Sequence, residues 1–436
     1  MYELTTNDAK REVPEIMQSL DELAREGARR MILAALEVEV EEYIQALRHL
    51  RDERGQAKVV RNGKAKERTI QLGAGSIKIR APRVNDRRPD HRFTSKILPP
   101  YMRRSPRLEE ALPVLYLCGL STGDFAEALE ALLGPEAAGF SPTTITRLLR
   151  VWQEEYQGWR KRSLEGKEYI YIWADGIYFN VRLEEDRLAC LVIIGVRPDG
   201  RKEVIALEDG YRESTESWAS LLRDLKRRGM PAPILGIGDG NLGFWAALRE
   251  VYPEAEEQRC WKHKVANVLD KLPKRLQPRA KEMLHEIMRA PDRESALEDI
   301  VRFSQEFAAR YPKAVETLVK DQDRLLTFFD FPAEHWLHLR TTNAIESTFS
   351  TVKARTKQTR GAGSRKAGLA MAFKLLLAAE KRWRRVNAPY LVALVQAGVQ
   401  FPNGKAEMSQ NESVDDCLFV CAPSIDVATY ASIHNI

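Results

Sequence analysis

Cysteine is scarce in this chain, and long apolar runs are absent. The five cysteines, Cys118, Cys190, Cys260, Cys417 and Cys421, are scattered over 436 residues. That spacing argues against a disulfide framework and suits a reducing compartment. No stretch approaches the roughly 18 consecutive apolar residues that a membrane helix needs, and the opening MYELTTNDAKREV has no apolar signal core. The expectation is a protein with no membrane contact that stays in the cytoplasm. Internal repeats and low-complexity tracts are missing too, which leaves solenoid folds unsupported.

Charge is plentiful and unevenly placed. The formal net charge is +6, yet residues 51–107 hold 17 Lys/Arg against 5 Asp/Glu, a local +12 that leaves −6 for the remainder. Such a block is either a solvated surface or an electrostatic footprint for nucleic acid, and its density favours the second. Arg61, Lys64, Lys66 and Arg68 within it are candidate DNA contacts. An apolar content of 44% is ordinary for a globular protein with a buried core, and the length suits roughly two to four domains.

The texture changes along the chain. Residues 1–50 read as two amphipathic helices, with Ile16, Leu20, Leu23 and then Met31, Leu33, Leu36, Val40 and Ile44 at helical spacing. They would pack on a second copy or on their own domain. Residues 51–105 read as a small basic β-meander with turn signals at Asn62-Gly63 and Gly73-Ala74-Gly75, then an extended arm from Arg83 to Arg104 marked by prolines. Residues 106–165 return to helix. Ser141-Pro142 opens a helix carrying Thr143, Thr144, Arg147 and Arg150, which fits either a helix-turn-helix DNA reader or a plain helical bundle.

From residue 166 to 263 the reading is α/β. Apolar strand-like runs occur at 169–174, 188–196, 203–208 and 234–237, with a helix at about 216–228. Three strands, a helix and a fourth strand is the order of a ribonuclease H-like sheet. Residues 264–335 read as an all-helical insertion, 336–390 as the second part of the same core, and 391–436 as a C-terminal tail. The fold class expected is therefore α+β or α/β, a ribonuclease H-like catalytic domain interrupted by helices and preceded by helical and small β DNA-binding regions.

Three acids carry the chemistry. Asp175 ends the run YIYIWAD and Asp239 ends ILGIGD, each where a buried strand meets a glycine. Either one alone reads first as a turn-capping aspartate, but strands one and four are neighbours in the inferred sheet. The third, Glu346, lies in a helix capped by Thr341 or Thr342, and residues 346, 350, 353 and 357 share a face. Seven Lys/Arg and this single acid occur between Arg340 and Lys366. A lone carboxylate beside Arg340, Lys353, Lys357 and Arg360 suits metal-assisted phosphoryl transfer, with the bases along a phosphate backbone. Two Mg²⁺ or Mn²⁺ ions about 3.5–4 Å apart would activate the attacking oxygen and stabilise the leaving one.

The two aspartates, the segment Cys260-Trp261-Lys262-His263, and Thr342-Asn343-Ala344-Ile345-Glu346 together resemble the bacterial Mutator-type insertion-sequence transposases. The resemblance runs from Arg61-Asn62-Gly63 to about Arg385, roughly three quarters of the chain. It implies an Asp/Asp/Glu enzyme of ribonuclease H-like fold with Asp175, Asp239 and Glu346 as catalytic metal ligands. It also implies Mg²⁺ or Mn²⁺ dependence, binding of double-stranded DNA at terminal inverted repeats and target, and a homodimer that pairs two element ends. Nucleoid association follows from that partner. Cys260 and His263 then read as supporting or DNA-contacting groups near the active site, since two ligands make a poor structural zinc site; a buried cysteine with a bonded histidine is the plainer alternative. Trp218, Trp245 and Trp261 read as core anchors, and Trp336 as a ring that stacks on a displaced base. The chain departs from the family pattern after Gly361, where a Phe-Pro-Asn segment is expected. A nuclease or resolvase without strand transfer, and a catalytically silent DNA-binding protein, are the rival readings.

Overall fold

A computed structural model describes residues 15–108, 142–181, 187–210, 214–240, 242–358 and 364–407, with positions 111, 115 and 117. The chain forms two compact units, Met1–Leu148 and Leu149–Ile436.

In the first unit a single helix, α1 (Glu15–Ala46), replaces the two helices expected from the apolar spacing. Gly27 sits inside it without breaking it. Four strands follow: β1 (Val59–Lys64), β2 (Arg68–Leu72), β3 (Gly75–Ile79) and β4 (Pro82–Asp86). They are not a meander. β2 pairs with β3 and β1 pairs with β4, so one hairpin nests inside another. Leu36 of α1 is buried against Ile70, Ile77, Ile79 and Leu98. The arm after β4 is not free either, because Gln71 N donates to Arg103 O at 2.9 Å and Ser105 N to Gln71 O at 2.9 Å. Most of residues 109–141 in the helix-turn-helix reading of 106–165 lie outside those described; its final helix, α2 (Pro142–Arg160), is present.

The second unit is built on a five-stranded mixed sheet of order β7-β6-β5-β8-β9. β5 (Tyr171–Phe179), β6 (Leu188–Val196) and β7 (Lys202–Gly210) are antiparallel neighbours. The chain then crosses through α3 (Thr215–Arg227) to β8 (Leu235–Gly238), which lies parallel to β5. A second crossover, α4 (Leu242–Val251), leads to β9 (Glu256–Arg259), parallel to β8. Trp218, Leu222 and Leu225 of α3 and Phe244, Ala247 and Leu248 of α4 share one core with Ile172, Ala174 and Ile193 of the sheet.

Residues 261–339 contain helix and turn only. They comprise α5 (Trp261–Leu269), α6 (Gln277–Arg289), α7 (Arg293–Phe307), α8 (Pro312–Val319), α9 (Gln322–Leu325) and α10 (Trp336–Leu339). Their own core includes Leu284, Ile300, Phe303, Phe307 and Leu318. Two long helices, α11 (Asn343–Gln358) and α12 (Arg365–Glu380), return to the sheet and pack on β5 and β7. The expected tail starts as folded chain: α13 (Tyr390–Gln396) buries Leu391, Val392 and Leu394. A Phe-Pro-Asn triplet does occur, at 401–403, and the Asn403 side chain accepts from Arg293 N, the first amide of α7, at 2.9 Å. No described helix is long and apolar enough to cross a membrane.

Candidate active site

Side-chain alternation along β5 decides where Asp175 goes. Ile172 and Ala174 point into the core beneath α3 and α4. Tyr171 and Trp173 point the other way: the Tyr171 hydroxyl meets Nδ1 of His335 at 2.9 Å, and Trp173 Nε1 donates to the His338 carbonyl at 3.3 Å. Asp175 shares this second face. In β8, a Cβ added at Gly236 would meet Leu248 at 2.7 Å and one at Gly238 would meet Phe244 at 3.0 Å. Those glycines therefore face α4, and position 239 turns away from it. Ala174 and Gly238 are register partners in parallel strands, so Asp175 and Asp239 are the next residues of adjacent strands. β5 does not stop at its acid, as the sequence suggested; it runs on to Phe179 paired with β6 alone. What ends beside Asp175 is its pairing with β8.

Glu346 arrives from α11, in the first turn, where the positive end of a helix favours an acid. Thr342 Oγ1 donates to its Oε1 at 2.9 Å, the Lys262 ammonium pairs with Oε2, and His263 Nε2 lies 3.9 Å from Oε1. Burial pushes the carboxyl up, but Lys262 and Thr342 outweigh it and hold Glu346 below the usual glutamate range. The three acids line one cleft of about 360 Å³ together with Tyr178, His263 and Lys353. α11 contributes a continuous edge to it, Glu346, Phe349, Ser350 and Lys353.

Cys260 joins these pieces. It caps the start of α5 immediately after β9, and its amide donates to Gly238 O at 2.7 Å, next to Asp239. The Thr342 amide donates to its sulfur at 3.3 Å, and the Thr342 hydroxyl lies at the same distance. The side chain thus ties the end of the sheet to the start of α11. Burial pushes its thiol up; hydrogen bonds from His263 and Thr342 bring it below the ordinary cysteine value. Nδ1 of His263 is buried without a well-aligned hydrogen-bond partner among the described residues. Cys260, then Asp239 and Asp175, raise its pKa to about 9 against the cost of burial, so the ring is cationic at neutral pH.

The basic candidates separate on inspection. Lys64, Lys66, Arg147, Arg150 and Lys353 are exposed. Arg61 is ion-paired with Glu37. Arg68 is not offered to a ligand, because its guanidinium donates to the carbonyls of Leu98 at 3.0 Å and Pro99 at 3.2 Å. Arg340 is stacked on Phe328 and Trp336, with its guanidinium 4.6 and 5.2 Å from the ring centres, and burial pulls its pKa down to about 10. Trp336 is 9% exposed, packs edge-on against Phe329, and donates to Phe331 O at 2.8 Å; no face is presented for a base. Lys357 lies in the last turn of α11, and Arg360 falls outside the described residues. Lys262 and Thr342 hold the third acid, and sequence reasoning assigned neither that task. The signal was present: both lie in the motifs that led to the site.

A mixed sheet with acids side by side where the pairing of β5 with β8 ends, closed by a helix bearing a third, defines a three-carboxylate cleft. The profile of the Mutator family of transposases matches residues 1–385, and the chain belongs to that family. It is 57% identical over 298 residues, 68% of its length, to the transposase for insertion sequence element IS6120 of Mycolicibacterium smegmatis, covering 92% of that protein. To the transposase for insertion sequence element IST2 of Acidithiobacillus ferrooxidans it is 49% identical over 286 residues, 64% of this chain and 94% of the other. The transposase for ISRM5 of Rhizobium meliloti is 28% identical over 377 residues, 86% and 92% of the two chains.

Proposed function

We propose that this transposase cuts and joins DNA at the ends of an insertion sequence, using Asp175, Asp239 and Glu346 as a single active site on a ribonuclease H-like domain. The strand order, with β8 and β9 parallel to β5 and β6 antiparallel to it, supports that fold, and residues 261–339 read as its helical insertion. The observation carrying the reading is the convergence of three carboxylates, from β5, the end of β8 and α11, on one cleft.

The donor set fits Mg²⁺ or Mn²⁺, because it is all hard oxygen. Two such ions, when bound, activate the attacking oxygen and stabilise the leaving one. The protein's own groups do the rest. Asp175 and Asp239 are held at fixed separation by strand register, and Glu346 is oriented by Thr342. Cationic His263 offsets part of the carboxylates' repulsion, and Lys353 stands at the rim to meet a phosphate. Cleavage by water and strand transfer by the freed 3′-hydroxyl use the same groups, with no covalent protein intermediate. Exposed Lys64 and Lys66 of the first unit, and Arg147 and Arg150 of α2, bind terminal inverted repeats and flanking duplex, and two copies pair two ends.

The test is strand transfer by purified protein with Mg²⁺ and its own element ends. Asp175→Asn and Glu346→Gln each reduce joined product by at least about a hundredfold, the scale of losing a charged group at a phosphoryl transition state. Full activity in either variant would falsify the assignment. Cleaved but never joined DNA in the wild type would make it a nuclease.

A further inference from the structure

Cys260, His263 and Glu346 form a second donor set at the edge of the carboxylate cleft. One donor atom from each lies within 4.8 Å of the other two, and no other such group of three occurs among the described residues. We propose that this cluster is a binding site for one soft divalent cation, of the Zn²⁺ or Cd²⁺ class, held by the Cys260 sulfur, the His263 imidazole and the Glu346 carboxylate.

The chemistry favours that class of ion. A thiolate and an imidazole select Zn²⁺ and its relatives over Mg²⁺, whose ligands are oxygens. Three protein ligands with one open position is a common zinc arrangement. Cys260 and His263 are three residues apart at the start of α5, so their side chains rise on the same side of the first turn. The sulfur already receives the Thr342 amide at 3.3 Å, which fixes its position beside His263 and Glu346. Nδ1 of His263 is buried without a well-aligned hydrogen bond among the described residues, so the ring's interaction with the Cys260 sulfur can give way to a shared ion. Both ends are braced by backbone bonds, Cys260 N to Gly238 O at 2.7 Å and Glu346 N to Thr342 O at 3.0 Å.

Tetrahedral zinc needs ligand atoms roughly 3.3–3.8 Å apart, so the cluster contracts by about 1 Å on binding. Lys262 must also release Glu346, and its side chain is 58% exposed. Neither requires the sheet to move. The site shares Glu346 with the proposed carboxylate site and differs from it in the sulfur and nitrogen that Mg²⁺ passes over, so a sulfur-to-metal signal reports on it alone.

The experiment is titration of the reduced, metal-stripped full chain with Cd²⁺ alone, read by sulfur-to-metal charge-transfer absorption in the near ultraviolet. Cys417→Ser and Cys421→Ser are made in every sample, so that the tail cysteines add nothing. One equivalent per chain is expected, resistant to excess Mg²⁺, abolished by Cys260→Ala and weakened at least about tenfold by His263→Asn. No band in the parent chain, or an unchanged band in Cys260→Ala, overturns the site. If Cys260→Ala fails to fold by circular dichroism, His263→Asn decides alone: unchanged Cd²⁺ affinity there also overturns it. Strand-transfer activity enters none of these outcomes.

Discussion

His335 is buried at 0% exposure with both ring nitrogens engaged, Nδ1 at 2.9 Å from the Tyr171 hydroxyl and Nε2 at 3.3 Å from the Ala388 carbonyl. A carbonyl only accepts, so Nε2 carries the proton and Nδ1 accepts from tyrosine. Burial drops the pKa from 6.5 to about 4. Between those values the unfolded chain takes up a proton that the folded one refuses, so stability falls as pH drops through this window, by about 3 kcal/mol at full extent. His335→Gln should flatten thermal midpoint against pH between 4 and 6.5; an unchanged slope would contradict the assignment. Gly240 is a second single-residue control. A Cβ there would meet the Arg259 guanidinium, with Cζ at 2.7 Å, and that group is pinned by its ion pair with buried Asp321. Gly240→Ala should cost about 1–3 kcal/mol and disturb the adjacent Asp239, lowering both the thermal midpoint and strand transfer.

At the scale of elements, the start of α11 is the joint on which the site turns. Thr342 contacts both Cys260 and Glu346. Thr342→Val should reduce strand transfer about 10–100-fold while the fold persists, and Thr342→Ser should restore it; equal activity of the two variants would show that the hydroxyl is idle. The three acids were legible in the sequence because each breaks its surroundings: two follow apolar runs and precede glycine, and one stands alone in a basic helix. β9 was not legible. Its residues, Glu256-Glu257-Gln258-Arg259, are polar because an edge strand uses them for contacts: Glu257 pairs with Arg249 and Arg324, and fully buried Gln258 donates to Leu325 O and accepts from Phe328 N. The nested hairpins were misread for a related reason, since alternation marks strands but not partners. Arg68 and Arg340 looked like phosphate ligands because charge is visible in a sequence and its internal consumption is not.

Across the whole molecule, the basic density lies in the first unit and the acids in the second. Neutralising exposed Lys64 and Lys66 together should make the dependence of log affinity on log salt shallower by about 1.8, two phosphate contacts at roughly 0.9 each. Arg68→Ala should leave that slope alone and instead destabilise the first unit by about 1–3 kcal/mol, the cost of stranding two carbonyls. A salt titration of DNA binding beside a thermal melt separates the two. The position of Glu346 on the far side of the helical stretch has a temporal side. During translation, Asp175 and Asp239 leave the ribosome with their strands, and the third acid follows on the order of ten seconds later at ordinary elongation rates. Under the proposed function, a nascent or prematurely terminated polypeptide whose first unit binds DNA would still lack its third carboxylate, so recognition would mature before strand breakage.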